Sequence, residues 1–205
     1  KWILEIAPKD IETVFDAFSG TSVVGYYFKD RGYKVYSNDF LKCNSLISKA
    51  LIENQNITLD KDDIDILLDE TTKADNLIEK IFTGVFFEKD QAKFLDIFRA
   101  NIEKLDNEYK KALALILMNR SLTRKITLGH FAHLKAIEYS KNPDRIKRNA
   151  SLAKHLKDIF QSLVHSYNHA IFDNKKKNKV FCEDTISLLP KLKDVNLAYF
   201  DPPYV

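Results

Sequence analysis

The sequence predicts an α/β fold, in which a doubly wound sheet of parallel strands is interrupted by a mostly helical inserted domain. Strand-like and helical segments alternate in residues 1–56 and 173–205, whereas residues 57–172 show only the helical spacing of apolar side chains. The chain has 205 residues, of which 45% are apolar and 30% charged. This composition supports a packed core and excludes disordered and collagen-like chains.

Two strand–helix pairs are predicted before residue 56. The first strand is rich in strand formers and runs into a tight turn, Ser19-Gly20-Thr21-Ser22. The second strand ends at Asn38-Asp39. The predicted elements are a strand over 12–18, a helix over 23–30 closed by Gly32, a strand over 33–37 and a helix over 41–54. Such an alternation opens a Rossmann-like sheet.

The sheet is predicted to resume after residue 172. A strand over 179–184 is followed by a short helical turn over 185–192. The last predicted strand, over 195–200, carries no charged residue and is therefore expected to be buried. It ends directly before Asp201. No internal repeat is found.

Several classes of protein are excluded by composition. No apolar run approaches the ~20 residues that span a bilayer, so an integral membrane protein is not expected. Cys43 and Cys182 form neither a metal-ligand pattern nor a disulfide framework, which favours a reducing, cytoplasmic setting. No metal site is predicted.

Charge is segregated along the chain, although the net charge is only +3. From Glu53 to Asp106 there are seven Lys or Arg against fourteen Asp or Glu, whereas residues 119–157 hold ten Lys or Arg and two acids. A basic stretch of this kind is typical either of a solvated helix face or of a surface that binds nucleic-acid phosphates. Charge alone does not separate the two.

The turn after the first strand is the first motif with chemical meaning. It reads Asp16-Ala-Phe-Ser-Gly20-Thr-Ser22-Val-Val-Gly25, so Ser22 stands between two glycines. At the carboxyl end of a strand, such a turn lets backbone approach a nucleotide-like ligand, which the following helix start also favours. A purely structural strand–helix turn would explain the pattern equally well.

Asp39 and the tetrapeptide Asp201-Pro202-Pro203-Tyr204 complete the set of motifs. An acid at the end of the second strand can accept hydrogen bonds from both ribose hydroxyls, although it can also cap a helix. Two consecutive prolines keep the chain extended, which presents the Asp201 carboxylate and the Pro202 carbonyl as rigid acceptors. Two adjacent acceptors suit an exocyclic amino group, and Tyr204 offers a ring on which a base can stack.

With these motifs the chain resembles the S-adenosylmethionine-dependent DNA adenine-N6 methyltransferases of the Dam-type, restriction–modification class. That family has an F-x-G-x-G turn, an acidic strand end and a D-P-P-Y tetrapeptide, matched here by Phe18-Ser-Gly20, Asp39 and 201–204. In the subclass it resembles, the target-recognition domain is inserted between the turn and the tetrapeptide. The resemblance therefore implies that 57–172 recognise duplex DNA, and that 1–56 with 173–205 bind the cofactor and catalyse methyl transfer.

The resemblance implies a role for individual residues. Catalysis is expected from Asp201, Pro202 and Tyr204, on a target adenine that is flipped out of the duplex. The residues expected to bind S-adenosylmethionine are Asp16, Phe18, Ser19, Gly20, Thr21, Asp39 and Asp184, the last against the adenine ring of the cofactor. Once DNA is the expected substrate, the basic stretch becomes a candidate contact, through Arg120, Arg124, Lys125, His130 and Lys135. Enzymes of this class can act beside a cognate restriction endonuclease, so the resemblance allows such a partner without requiring it.

Some features depart from the family pattern. Ser22 stands where the family has its second glycine, and the family's amino-terminal lysine motif is not evident before Glu12. The strands that follow D-P-P-Y in the family are absent, so the sheet is expected to be incomplete at its carboxyl-terminal side. Because the sequence begins at Lys1 and stops at Val205, we expect it to be a fragment of a longer enzyme.

Other functions stay open at this point. A cytosine-N4 methyltransferase uses the same attack by an exocyclic amine, although its tetrapeptide more often opens with serine. Methylation of RNA or of a protein amide uses related tetrapeptides, usually opened by asparagine. A nicotinamide-dependent oxidoreductase would not explain the proline pair. A non-catalytic DNA-binding fragment is the remaining alternative.

Overall fold

The computed structural model describes residues 2–125 and 135–203. It divides into two compact units, one formed by residues 1–57 with 170–205 as far as they are described, the other by residues 58–169. The second unit lies within the segment predicted as an insertion, 57–172. The first unit is thus built from two stretches that are distant in sequence.

The elements follow one another in this order. The first stretch holds helix α1 (Trp2–Ile6), strand β1 (Thr13–Asp16), helix α2 (Val23–Asp30), strand β2 (Lys34–Asn38) and helix α3 (Lys42–Ser48), which continues as a π-helical turn, Lys49–Glu53. The second unit holds α4 (Lys61–Leu67), α5 (Leu77–Phe82), α6 (Lys89–Ile102), α7 (Glu108–Lys125), α8 (Ala136–Ser140), α9 (Pro143–Arg148), a 3₁₀ turn (Ala150–Ala153) and α10 (Leu156–His169). The last stretch holds β3 (Lys179–Phe181), α11 (Thr185–Leu188), a 3₁₀ turn (Leu189–Lys191) and β4 (Leu197–Tyr199).

The four strands form one parallel sheet in the order β3-β2-β1-β4. The chain moves outward from β1 to β2 and β3, and then returns to pair β4 with the other side of β1. In an open α/β sheet, ligands bind outside the carboxyl ends of the strands at the point where this order reverses. Here the reversal lies between β1 and β4.

Both faces of the sheet are covered, as a doubly wound fold requires. Val14 and Val35 face a cluster that includes Phe28 of α2 and Ile52 of the π-helical turn. Phe15, the neighbour of Val14, points to the opposite face, where it packs in a cluster that includes Leu188 of α11. The predicted α/β fold is therefore confirmed. All four residues of β1 are buried, because a central parallel strand has both of its faces covered.

The prediction for the last strand was wrong in one respect. Residues 195–200 were expected to form a buried strand, whereas β4 spans only Leu197–Tyr199 and leaves the Ala198 side chain exposed. The physical reason is its position, since within the described residues β4 pairs with β1 on one side and with no strand on the other. The absence of charged residues from 195–200 therefore does not mean that this strand is completely buried.

The described part of the second unit consists of helices joined by turns and irregular segments, with one isolated bridge between Thr83 and Phe87, so the insertion is mostly helical as predicted. Its core includes buried residues of α6, α7 and α10, with the rings of Phe98 and Phe160 5.0 Å apart. Helix α4 begins with a capping box, in which Asp60 accepts from the Asp63 amide and the Asp63 carboxylate accepts from the Asp60 amide. No helix in the described residues is long and apolar enough to cross a membrane.

Candidate active site

The parallel sheet gathers acidic residues at its carboxyl edge. Asp16 is the last residue of β1, and Asp39 directly follows β2. Asp184 comes three residues after β3, and Asp201 two residues after β4. Because the carboxyl ends of parallel strands meet at one edge, residues from four distant positions in the sequence share one region.

The glycine turn is fixed to the end of β2 by hydrogen bonds that two of its backbone amides donate, one to a backbone carbonyl and one to a side chain. The amide of Ser19 donates to the Asn38 carbonyl at 2.9 Å, and the amide of Gly20 donates to Asp39 Oδ2 at 2.8 Å. Asp39 Oδ1 accepts from the amide of Leu41 at 2.9 Å. Asp39 therefore anchors both the turn and the start of α3, while each carboxylate oxygen keeps a second lone pair for a further donor.

Gly20 leaves space at the centre of this edge. Its φ is +49°, in the left-handed region, and a Cβ added to it would meet no heavy atom within 4 Å. The glycine is therefore required by backbone conformation and not by local crowding. Thr21 beside it is exposed, whereas Ser19 is buried. The turn thus presents open backbone to a ligand.

Asp16 is the most unusual of the acids. Its side chain is buried, its Oδ2 accepts from the amide of Gly25 at 3.1 Å, and its Oδ1 has no hydrogen-bond partner in the described structure. The pKa of Asp16 is raised to about 6, mainly by burial and in smaller part by the charges of Asp39 and Asp201, while the hydrogen bond from the Gly25 amide opposes this rise. A buried carboxylate oxygen without a donor is costly unless a ligand supplies one.

Asp184 has a structural task as well as its predicted one. It is exposed and forms the N-cap of α11, where its Oδ1 accepts from the amide and the hydroxyl of Ser187, each at 2.9 Å. These hydrogen bonds lower the pKa of Asp184. Its contact with a cofactor stays a prediction, and its position at this edge is compatible with both roles.

The end of β4 brings the tetrapeptide beside the turn. The amide of Ala17 donates to the Tyr199 carbonyl at 3.0 Å, and the rings of Phe18 and Phe200 lie 6.5 Å apart. Asp201, Pro202 and Pro203 follow in an exposed, irregular segment. Tyr204 lies outside the described residues. Gly20 of the turn and Asp201 of the tetrapeptide are 181 residues apart in the sequence. Their two segments are nevertheless neighbours at the point between β1 and β4 where the strand order reverses.

The profile of the D12 class N6 adenine-specific DNA methyltransferases matches residues 1–205, the whole chain. The chain belongs to this family. The resemblance inferred from the three motifs is thereby confirmed.

Individual relatives agree with this membership. Type II methyltransferase M2.HphI of Haemophilus parahaemolyticus is 36% identical over 214 residues, covering 100% of this chain and 62% of that protein. Modification methylase StsI of Streptococcus sanguinis is 29% identical, with 94% of this chain and 30% of the relative covered. Type II methyltransferase M.FokI of Planomicrobium okeanokoites is 28% identical, with coverages of 98% and 32%. The chain therefore spans less than two thirds of each relative. No solved structure matches it significantly.

Two features of this methyltransferase edge were missed by sequence reasoning. Asn38 is fully buried; its side chain donates to the Glu183 carbonyl and to Thr185 Oγ1, both at 3.1 Å, and so joins β2 to the segment after β3. The second is a set of large apolar side chains exposed around the edge: Val23, Phe40, Ile186 and Phe200 are 69%, 74%, 79% and 50% exposed. Phe40 could have been identified from the sequence, because it directly follows Asp39, which was already a predicted cofactor-binding residue.

The predicted DNA contacts do not all share one environment. Arg120 and Arg124 are exposed, one turn apart on α7, and neither guanidinium makes a hydrogen bond within the described residues. Lys125 instead donates to the Leu152 and Lys154 carbonyls at 2.8 and 2.5 Å, and burial lowers its pKa. This arrangement makes Lys125 a structural anchor of the second unit and leaves the two arginines as the better candidates.

The other two candidates are less informative. Lys135 is exposed at the start of α8. His130 lies outside the described residues. The residues described contain no group of three or more His, Cys, Asp or Glu side chains that could hold a metal ion.

Proposed function

We propose that the full-length protein transfers a methyl group from S-adenosylmethionine to the N6 amino group of adenine in duplex DNA. The observation that carries this proposal is that Asp201-Pro202 lies beside the Gly20 turn where the strand order of the sheet reverses. The chain that has this arrangement belongs to the adenine-N6 methyltransferase family. The activity is proposed for the whole protein, because this chain spans less than two thirds of the length of each relative.

The edge fits the proposed cofactor on three counts. Asp16 Oδ1 is buried without a donor, which suits a positively charged or N–H-bearing group. Asp39 keeps free lone pairs for ribose hydroxyls, and Gly20 leaves its surroundings open. The exposed apolar side chains of Phe40 and Ile186 can cover an adenine ring. When bound, S-adenosylmethionine supplies an activated methyl group on a sulfonium.

The tetrapeptide is proposed to hold the target base. Asp201 and the Pro202 carbonyl accept hydrogen bonds from the two N–H groups of the adenine amino group, which draws the nitrogen toward tetrahedral geometry and takes its lone pair out of conjugation with the ring. The nitrogen would then form a new N–C bond to the methyl group of the cofactor while the bond from that methyl group to sulfur breaks and its electron pair stays on sulfur, which leaves as a neutral thioether. The nitrogen releases one proton, for which the Asp201 carboxylate is the adjacent acceptor. Positioning and electrostatics perform the catalysis, without a covalent intermediate on the protein. Tyr204 as a stacking platform rests on the sequence alone.

Duplex DNA must first be held and the base extruded, at a cost of a few kcal/mol. We propose that Arg120 and Arg124 contact DNA phosphates or base edges, since both are exposed and unpaired within the described residues. We also propose that the protein acts in a restriction–modification system beside a cognate endonuclease, because two of the relatives are named Type II methyltransferases and one a modification methylase.

Nucleoside mass spectrometry tests the reaction. The full-length protein is incubated with S-adenosylmethionine and unmethylated duplex DNA, and N6-methyladenine is expected. Asp201→Ala should abolish the product while cofactor binding survives; the matched control is Asp10→Ala, which removes an exposed acid that precedes β1. If only methylcytosine forms, the base assignment fails. If the cofactor binds and no base is modified, the DNA substrate is wrong and RNA or protein acceptors replace it.

A further inference from the structure

Ser22 adopts a backbone conformation that serine rarely takes. Its φ and ψ are 63° and 17°, which is the left-handed region, and it directly precedes α2. The F-x-G-x-G turn of the family has a glycine here, and glycine enters this region without the steric cost that any side chain brings. In this chain the turn therefore adopts a left-handed conformation at a residue whose side chain disfavours it.

The side chain of Ser22 is secured by a group of four buried serines, which we call the serine cluster. Ser48 is its centre: its Oγ lies 2.7 Å from Ser22 Oγ, 3.0 Å from Ser19 Oγ and 2.9 Å from Ser37 Oγ. Ser22, Ser37 and Ser48 are fully buried, and Ser19 is 7% exposed. The cluster thus lies out of contact with solvent.

The hydrogen-bonding capacity of Ser48 is filled by these three contacts. A hydroxyl has one donor and two acceptor sites, so three hydroxyl partners saturate it. Removing the Ser48 hydroxyl would leave three buried hydroxyls each short of a partner, which is unfavourable away from water. The cluster is therefore a specific network whose members depend on Ser48.

The cluster connects the two parts of the proposed cofactor site. Ser19 and Ser22 bracket Gly20 in the turn, and the Ser22 amide donates to the Ser19 carbonyl at 2.6 Å. Ser37 lies in β2, two residues before Asp39, whose carboxylate accepts from the Gly20 amide. Ser48, the last residue of α3, thus holds the glycine turn and the acidic strand end in one arrangement.

From this geometry we infer that Ser48 is a positioning residue for cofactor binding, and that its hydroxyl allows Ser22 to replace the glycine of the turn. The inference rests on the proposed function, because it assigns the turn to the cofactor. Ser48 itself is buried and does not touch the ligand. It acts through Ser19, Ser22 and Ser37, which fix the backbone that does.

The test measures S-adenosylmethionine binding to the full-length protein by isothermal titration calorimetry. Ser48→Ala should raise the Kd about tenfold, and adding Ser22→Gly to that variant should restore most of the affinity, because glycine needs no support in the left-handed region. The matched control is Ser45→Ala, which removes another buried serine hydroxyl from α3; within the described residues that hydroxyl donates to the Lys42 carbonyl at 2.9 Å and is not part of the serine cluster.

A second pair of variants keeps the test independent of how well Ser48→Ala folds. Ser22→Ala and Ser22→Gly both delete the hydroxyl, but only alanine keeps the backbone penalty. Ser22→Ala should therefore weaken binding about tenfold relative to Ser22→Gly, which should bind at least as well as the natural protein.

The outcomes separate this inference from the function on which it rests. Rescue of Ser48→Ala by Ser22→Gly, with Ser45→Ala unchanged, supports it. Equal Kd values for Ser48→Ala and Ser45→Ala, or for Ser22→Ala and Ser22→Gly, overturn it and leave the proposed function intact. Failure of the natural protein to bind S-adenosylmethionine overturns both.

Discussion

Asp39 accepts a hydrogen bond from the backbone amide of Gly20 at 2.8 Å, across a sequence separation of nineteen residues. This bond joins the two features that independently indicate a nucleotide-like ligand, the glycine turn and the acidic strand end. The same carboxylate also accepts from the amide of Leu41, so it fixes the start of α3. Asp39 is thus a structural anchor of the site in the absence of any ligand.

Replacement of Asp39 should therefore affect binding in two ways. Asp39→Ala removes the proposed ribose acceptor and also frees the Gly20 amide, so we expect S-adenosylmethionine affinity to fall at least about tenfold. Calorimetry on the full-length protein measures this change. Asp10→Ala, an exposed acid before β1, should bind normally. Unchanged affinity in Asp39→Ala would exclude Asp39 from the cofactor site.

The buried carboxylate of Asp16 should lower the stability of the folded protein while it contributes to S-adenosylmethionine binding. Its folded pKa of about 6 lies above the usual value of 3.8, so the folded state binds more protons than the unfolded state between these two pH values. The free energy of unfolding contributed by Asp16 therefore rises as pH falls through 6, and the burial cost is fully present above pH 6.

Asp16→Asn removes the cost of burying a charge, because the asparagine side chain is neutral. Its amide oxygen can still accept the hydrogen bond from the Gly25 amide. We expect the variant to gain up to about 3 kcal/mol of unfolding free energy at pH 7.5, a gain that shrinks towards pH 4. It should bind S-adenosylmethionine more weakly. Urea unfolding at several pH values, beside calorimetry, measures both effects. A pH-independent difference in stability would contradict the raised pKa of Asp16.

Lys29 is a buried base, so burial shifts its pKa in the direction opposite to that of the buried acid Asp16. Its side chain is fully buried in α2, where the ammonium donates to the Leu51 and Asn54 carbonyls at 2.9 and 2.7 Å and lies 4.7 Å from the Phe172 ring centre. Burial lowers its pKa from 10.5 to about 8, while the charge of Asp173 opposes this change.

Between pH 8 and 10.5 the unfolded state therefore holds the Lys29 proton more often than the folded state. The contribution of Lys29 to unfolding free energy should rise with pH over this window. Lys29→Met should be less stable, since it leaves two carbonyls without their donor, and it should lack this part of the pH slope. Urea unfolding at pH 8.0 to 9.5 makes the comparison, and parallel slopes for both proteins would refute the titration.

The basic residues at the end of α7 should separate into two classes. Arg120→Ala with Arg124→Ala should weaken DNA binding and reduce the slope of log K against log salt by about 2, if each arginine neutralises one phosphate. Lys125→Met should mainly lower stability, because its ammonium holds the Leu152 and Lys154 carbonyls. Fluorescence anisotropy over a salt series and thermal unfolding measure the two effects. An unchanged salt slope in the double variant would count against the proposed contact.

The sequence predicted the chemistry of the sheet edge better than its details. Asp16, Asp39 and Asp201 could be placed together because parallel strands end at one edge, and helix α2 could be bounded by Gly32. The serine cluster could not be found in this way, since Ser19, Ser22, Ser37 and Ser48 follow no shared spacing and meet only after folding. Lys125 and Arg124 are adjacent and equally basic, so only tertiary contacts reveal that one is an anchor.

The partial burial of β4 is a second feature that the local sequence pattern could not predict. An uncharged run predicts a strand, but the number of neighbouring strands depends on topology, and β1 is the one strand that pairs with β4 in the described part of the chain. Asn38 is similar, since an asparagine at a strand end carries no local sign of its bonds to Glu183 and Thr185.

The pairing of β1 with β4 has a consequence for biosynthesis. Val14 pairs with Val35 and with Leu197, so one side of the central strand finds its partner almost at once and the other waits for most of the chain. At translation rates of about 5 to 20 residues per second, that wait is on the order of 10 to 30 seconds. During this interval the nascent chain carries β1 with one side of its backbone unpaired. The residues in between have time to fold as a separate helical unit before β4 can pair with β1. The order in which these parts fold therefore depends on the order and rate of synthesis as well as on the sequence.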